Sequence, residues 1–87
     1  MKNTDFLFHF PCEFPVKVMG LNNEAFKSTV ISIFRKHLNT EQISSASHLS
    51  RGGKYLSITV TFVAQSRAQL DALYEELNGH DLVLMTL

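Results

Sequence analysis

Alternating apolar and polar residues in two stretches of the chain predict two half-buried strands. From Tyr55 to Ala64, apolar side chains occupy every second position, and serine or threonine residues fill most of the positions between them. The same period of two runs from Phe14 to Met19, just before Gly20. This period is typical of a strand that packs one face on a core and leaves the other in water. We therefore expect each strand to have one apolar face and one open face.

Two further stretches have the apolar spacing of an amphipathic helix. The first follows Asn22 and Asn23, either of which can cap a helix, and its apolar residues are Phe26, Val30, Ile33, Phe34 and Leu38. The second begins with Ser66 and Gln69, which have the spacing of a capping box, and ends at Gly79. Its apolar residues are Leu70, Leu73, Tyr74 and Leu77.

A serine-rich strand is predicted at residues 43–49 and a final apolar strand at residues 81–87. The segment Arg51-Gly52-Gly53-Lys54 can be read as an anion-binding loop, but it precedes a strand, so a hairpin turn is favoured. The element order βαββαβ with right-handed crossovers predicts an α+β, ferredoxin-like sandwich. Its four-stranded antiparallel sheet has the order 4-1-3-2, with both helices on one face.

The 87 residues are expected to form one ferredoxin-like domain, 1–87, with an apolar N-terminal arm at residues 1–12. The arm contains Phe6, Leu7, Phe8 and Phe10. In the predicted sheet the last strand is an apolar edge, which a monomer in water has to protect. We therefore expect the arm to cover that edge.

The composition narrows the classes of function. Eight basic and eight acidic residues cancel, which argues against the phosphate attraction on which nucleic-acid binders depend. The single cysteine, Cys12, cannot form an internal disulfide, and residues 1–11 lack the pattern of a secretory signal, so a cytoplasmic protein is expected. No apolar run approaches the roughly 20 residues of a membrane-spanning helix.

No residue pattern in the sequence specifies a reaction, a metal site or a cofactor. Cys12 lies three residues after His9, but no oxyanion loop or partner motif accompanies it, so a structural role is favoured over catalysis. The four histidines are scattered singly and form no chelating pair. We therefore expect neither metal nor cofactor, and no enzyme.

Two surfaces remain as candidate binding sites. Gly20 ends the first strand where helix amides begin, and such a corner can bind a small anion, although a glycine needed only for its backbone angles explains the position equally well. The open sheet face carries Lys17, Met19, Tyr55, Ser57, Thr59 and Thr61. Because it lacks the aromatic spacing of RNA-recognition domains, a solvated or dimer-covered face is favoured over RNA stacking.

The segment FPCEFPVKVMG at residues 10–20, with LYEEL at 73–77 and the closing residues 81–87, resembles the YbeD-like family of small uncharacterised bacterial proteins. That family is similar to the regulatory ACT-type domains, which bind effectors at subunit interfaces. The resemblance implies the same ferredoxin-like fold and no catalytic residues. It also implies a ligand site at Gly20, Leu21 and Asn22, with Lys17 on the sheet.

These observations together lead to two functional hypotheses. The first is a non-enzymatic regulatory or protein-interaction module of bacterial metabolism, homodimeric, which acts through an edge strand or the open face at Met19, Tyr55, Ser57, Thr59 and Thr61. The second is a sensor that binds an amino acid or another carboxylate at the corner, where helix amides and Lys17 both favour an anion. An enzyme that uses Cys12 ranks third and a nucleic-acid binder fourth.

Overall fold

Four antiparallel strands and two helices follow one another in the computed structural model, which describes residues 9–38 and 43–87. The elements are β1 (Cys12–Leu21), α1 (Glu24–Leu38), β2 (Ser44–Leu49), β3 (Tyr55–Ala64), α2 (Arg67–Asn78) and β4 (Val83–Thr86). The strand order is β2-β3-β1-β4, which is the predicted order read from the other edge. The predicted ferredoxin-like α+β fold is therefore confirmed.

The core forms between one face of the sheet and the two helices. In the central pair, Val16 of β1 lies opposite Val60 of β3, and both side chains are fully buried. The helices contribute the other side of the core with Phe26, Val30, Ile33, Phe34, Leu38, Leu70, Leu73 and Leu77. Along each strand, the residues that alternate with the core residues point away from the helices, so the other face of the sheet lies outside the core.

Both helices begin at side-chain caps. The Oδ1 atom of Asn23 accepts a hydrogen bond of 2.7 Å from the backbone N–H of Phe26 at the start of α1. At the start of α2, Ser66 Oγ accepts a bond of 3.1 Å from the N–H of Gln69. The Gln69 side chain then joins the helices, because its Nε2 donates to the carbonyl of His37 over 3.2 Å. Each cap satisfies an amide that has no partner within its helix.

The hairpin between β2 and β3 depends on two glycines with left-handed backbone angles. Gly52 has a φ of 87° and Gly53 a φ of 76°, a region that side-chain-bearing residues rarely adopt. The Gly53 N–H donates to the carbonyl of Ser50 over 2.8 Å, and the Ser50 N–H donates to the carbonyl of Tyr55 over 2.9 Å. The segment is thus a hairpin turn that sets the register of the two strands.

The central strand is longer than its predicted range of 14–19, because β1 extends two residues further at each end. Pro15 is tolerated within it. The backbone N–H and C=O of Lys17 are hydrogen-bonded to Leu87, on the β4 side of β1. The nitrogen of Pro15, two residues earlier, faces the same side, beyond the described residues that pair with β1 there. The missing N–H of the proline therefore removes no ladder hydrogen bond.

The last strand is shorter than its predicted range of 81–87. The N–H of Leu82 donates to His80 Nδ1 and the N–H of Val83 donates to the His80 carbonyl, which forms a turn where the prediction began the strand. The pairing with β1 then shifts by one residue between Met19 and Gly20, so that Leu84 has no opposite partner. A local bulge of this kind directs the following side chains.

The predicted N-terminal arm lies largely outside the described residues. Of its last four residues, Phe10 packs partly buried against the core, and Cys12 is the first residue of β1. The proposed cover of the β4 edge by Phe6, Leu7 and Phe8 stays a prediction.

Candidate binding face

The sheet face opposite the helices carries the residues that alternate with the buried ones. We call it the open face and define it by the strand register as Glu13, Pro15, Lys17, Met19, Leu21, Ser44, Ala46, His48, Tyr55, Ser57, Thr59, Thr61, Val63, Met85 and Leu87. Every interface residue predicted from the sequence lies on it. They are Met19, Tyr55, Ser57, Thr59 and Thr61.

The open face carries several exposed large hydrophobic residues. Most of the exposed large hydrophobic residues in the described chain belong to it, namely Leu21, Tyr55, Val63, Met85 and Leu87. Leu87 is 64% exposed and Met85 48% exposed. Apolar side chains grouped on one face of a small protein are typical of a surface that binds a partner.

A small pocket lies within the open face, next to the hairpin. Ser57 is nearly buried close to the start of β3, with Met19 of β1 opposite it on one side and His48 of β2 on the other. The residues that line the pocket, which has a volume of about 200 Å³, are Lys17, Met19, His48, Ser50, Tyr55 and Ser57. Lys17, predicted as part of the corner site, thus meets three of the predicted interface residues here.

His48 and Ser50 were not predicted as site residues. His48 lies in β2 and Ser50 directly follows the end of that strand, so the position of both depends on the hairpin register, which pairs His48 with Ser57. A slip of one residue in that register would turn His48 to the other face. The length of the turn would identify His48 and Ser50 as site residues, but it is defined by hydrogen bonds that only the structure shows.

The predicted corner site is divided between the two faces of the sheet. Gly20 lies on the core face, where a Cβ atom would meet the ring of Phe26 at 2.5 Å, whereas Lys17 and Leu21 are on the open face. Asn22 turns to the hairpin, with its Nδ2 donating to the carbonyl of Gly53 over 3.1 Å. The structure therefore brings Lys17 and Gly20 to opposite sides of β1, and ligand binding at the corner stays a prediction.

Gly20 is required for space. Its φ lies outside the left-handed region, so backbone angles, which the sequence offered as one explanation, do not account for it. The close approach of the Phe26 ring and of the Leu82 carbonyl oxygen does.

A polar cluster joins the two helices on the other side of the molecule. Glu76 of α2 accepts a hydrogen bond of 2.9 Å from Lys36 Nζ and lies 2.7 Å from His37 Nε2. The hydrogen bonds from Lys36 and His37 lower the pKa of the Glu76 carboxyl below its ordinary value. No spacing in the sequence indicates this cluster, since it depends on how the two helices pack.

Replacing Glu76 with glutamine should lower the melting temperature at neutral pH, because the carboxylate that interacts with Lys36 and His37 is lost. Because the pKa of Glu76 is lowered in the folded state, its ionised carboxylate stabilises the protein at pH values above the ordinary glutamate pKa of 4.5. This stabilisation is lost as the pH falls below that value and the carboxylate is protonated. The difference between wild type and E76Q should therefore shrink on acidification. Thermal melts at several pH values measure this. E75Q at the neighbouring exposed glutamate is the control and should differ little from wild type at each pH.

The thiol of Cys12 and the side chain of His9 differ in exposure in the described part of the chain. Cys12 is half-buried in β1 opposite Ala64, while His9 is exposed. Within residues 9–38 and 43–87, no three His, Cys, Asp or Glu side chains lie close enough together to hold a metal ion. Neither of the helices described here is long and apolar enough to cross a membrane.

Comparison with known families decides what the chain is related to. The model of the family described as "Protein of unknown function (DUF493)" matches residues 5–87, which is nearly the whole chain. The chain belongs to this family. The resemblance to a family of small uncharacterised bacterial proteins, predicted from residues 10–20 and the C-terminal motifs, is thereby confirmed.

Relatives within the DUF493 family match this chain over almost their full length. A UPF0250 protein of Paraburkholderia phytofirmans is 42% identical over 82 residues, which cover 93% of this chain and 92% of that protein. A UPF0250 protein of Chromobacterium violaceum has the same identity and coverage. The UPF0250 protein NE1487 of Nitrosomonas europaea is 40% identical over 82 residues, with 93% and 94% covered. None of these names describes an activity.

Two solved structures share the fold of this DUF493 member. The solution structure of protein HP0495 from H. pylori has a TM-score of 0.77 at 16% identity, with 92% of this chain and 85% of that chain covered. The C-terminal domain of the MgtC protein from Mycobacterium tuberculosis has a TM-score of 0.65 at 16% identity, with 86% and 82% covered. At this identity the similarity supports the fold alone.

Proposed function

We propose that this DUF493 protein is a non-catalytic interaction module with a regulatory role in bacterial metabolism, and that its open face binds another protein. The observation that carries the proposal is the clustering of exposed apolar side chains on that face. A second copy of the chain is the simplest partner, because the face would pack against the same face around a two-fold axis.

The apolar part of the open face is concentrated along the β1 and β4 side. Met85 lies opposite Met19, and Leu87 is bonded to the backbone of Lys17, so their side chains extend one surface. Tyr55 and Leu21, which are opposite each other, extend it towards the hairpin. Aromatic and methionine side chains are enriched in protein interfaces, because they bury a large area and methionine adapts its shape.

The helix side of the edge strand β2 lies outside the open face, so it offers a reference surface for testing the proposal. All six of its residues are exposed, including Ser45, Ser47 and Leu49, which point to the helix side of the sheet but are not covered by the helices. A partner seated on the open face would leave Leu49 uncovered, so this residue provides a matched control.

The proposal is tested by placing a charge on the open face and, as a control, on the other side of the sheet. Met85→Glu puts a carboxylate into the apolar surface, and Leu49→Glu puts one at a residue of similar exposure, 51% against 48%, on the helix side. A carboxylate buried in an apolar contact costs several kcal/mol, so M85E should weaken binding by tenfold or more, roughly, while L49E should not.

The measurement has two parts. Sedimentation velocity over a range of concentrations reports self-association, and affinity enrichment from the native host, followed by reconstitution with the purified protein, reports another partner. The proposal requires one complex that wild type and L49E form and M85E loses. A wild-type protein that stays monomeric and recovers the same proteins as M85E would contradict it.

A further inference from the structure

We propose that the pocket in the open face binds a small monocarboxylate with a short apolar or aromatic body. This goes beyond docking by another protein and does not depend on it, because the pocket is complete within one chain. The proposed site shares Lys17 with the corner predicted from the sequence but excludes Gly20.

The pocket has an apolar side and a polar side. Met19 and the ring of Tyr55 provide apolar contact surface, while Lys17 and His48 provide nitrogen atoms from the two strands that flank β3. The volume of about 200 Å³ is below the roughly 300–1,000 Å³ of pockets for drug-sized ligands. The occupant must therefore be small.

The polar groups of the pocket differ in whether they are already bonded. Ser57 Oγ donates to the carbonyl of His48 over 3.3 Å, and Ser50 Oγ accepts from the N–H of Tyr55 over 3.0 Å, so both hydroxyls have structural partners. The ammonium of Lys17, the imidazole of His48 and the hydroxyl of Tyr55 make no hydrogen bond to the described chain. Three potential donors from three strands therefore remain for a ligand.

Charge around the pocket favours an anion. Lys54, whose Nζ lies 5.4 Å from the centre of the Tyr55 ring, and Arg51 add positive charge at the hairpin end. The acidic residues of the described chain lie elsewhere. They are Glu24, Asp71, Glu75 and Glu76 in the helices, Asp81 in the turn before β4, and Glu13 near the far end of β1.

The number of charges limits the class of anion. Lys17 is the one lysine or arginine that lines the pocket, and phosphate groups are more often held by several cations or by a helix N-terminus. A single carboxylate matches one ammonium with a hydroxyl and an imidazole beside it. Met19 and the Tyr55 ring then contact the apolar body of the ligand.

Titration of the full chain by two-dimensional amide NMR tests this inference with sodium benzoate as the probe. We expect saturable shifts at Lys17, Met19, His48 and Ser57. Benzamide, which has the same shape without the charge, and inorganic phosphate should each bind at least about tenfold more weakly, since a charge-assisted hydrogen bond is worth 1.5–3 kcal/mol, roughly. Equal binding of benzamide or phosphate would overturn the proposed ligand class.

Variants show whether the binding uses the pocket. Lys17→Gln should raise the Kd for benzoate about tenfold, and Tyr55→Phe roughly threefold, through the loss of one donor each. Lys27→Gln in α1 is the matched control, because Lys27 is exposed on the helix side, and its Kd should equal that of wild type. Shifts that do not saturate, or a K17Q protein that binds like K27Q, would overturn the site. The docking proposal is unaffected by either result, since M85E tests it separately.

Discussion

Replacing Gly20 with alanine should destabilise the protein by about 1–3 kcal/mol or more, because the strand has no space for a methyl group there. The added Cβ atom would lie 2.5 Å from two carbons of the Phe26 ring and 2.7 Å from the carbonyl oxygen of Leu82. Phe26 is fully buried, so its ring cannot turn into solvent. Relief requires that the start of α1 or the turn before β4 move away from the sheet.

Urea denaturation of wild type, G20A and G79A measures this effect. Gly79, the residue after α2, has a right-handed φ of −86°, and its added Cβ would meet the Glu75 carbonyl oxygen at 3.2 Å. G79A should therefore change the free energy of unfolding by no more than about 1 kcal/mol. A G20A protein as stable as G79A would show that the corner has room for a side chain, which would contradict the steric explanation of Gly20.

The fold was predictable because the two strongest patterns lie at its centre. The alternation in β3 identified a half-buried strand, and its buried positions Leu56, Ile58 and Val60 are the ones that pack on the helices. Element order then left few topologies for two crossovers of the usual hand. Strand ends were less predictable, since Gly79 indicates the end of α2 but not how far the turn at His80 extends, and the bulge at Leu84 has no glycine or proline beside it.

The sequence predicted which residues lie on the open face, but not which of them line the pocket. Alternation placed Met19, Tyr55 and Ser57 on the open face, because a period of two needs no knowledge of the neighbouring strands. Whether His48 also lies on this face depends on the register of β2 and β3 across the hairpin. The hydrogen bonds between Ser50 and Tyr55 fix that register, and only the structure shows them.

Contacts between elements could not be predicted from the sequence either, because they depend on how the elements pack together. Glu76 meets Lys36 and His37 across the two helices, and nothing in the sequence spacing of 40 and 39 residues indicates it. The role of Gly20 is similar, because the pattern showed a glycine at the end of a strand, but only packing shows that Phe26 occupies its side-chain position.

Replacing Leu73 with alanine should cost about 2–5 kcal/mol, a large part of the roughly 5–15 kcal/mol that holds a domain folded. Leu73 of α2 is fully buried, and with helices on one side of the sheet there is a single core to lose. Leu84→Ala makes the same chemical change at a residue that is 57% exposed and should cost no more than about 0.5 kcal/mol. Urea denaturation of the two variants, with the slope of the transition as a check on two-state unfolding, compares them directly. Equal losses would contradict the placement of Leu73 inside the core and of Leu84 outside it.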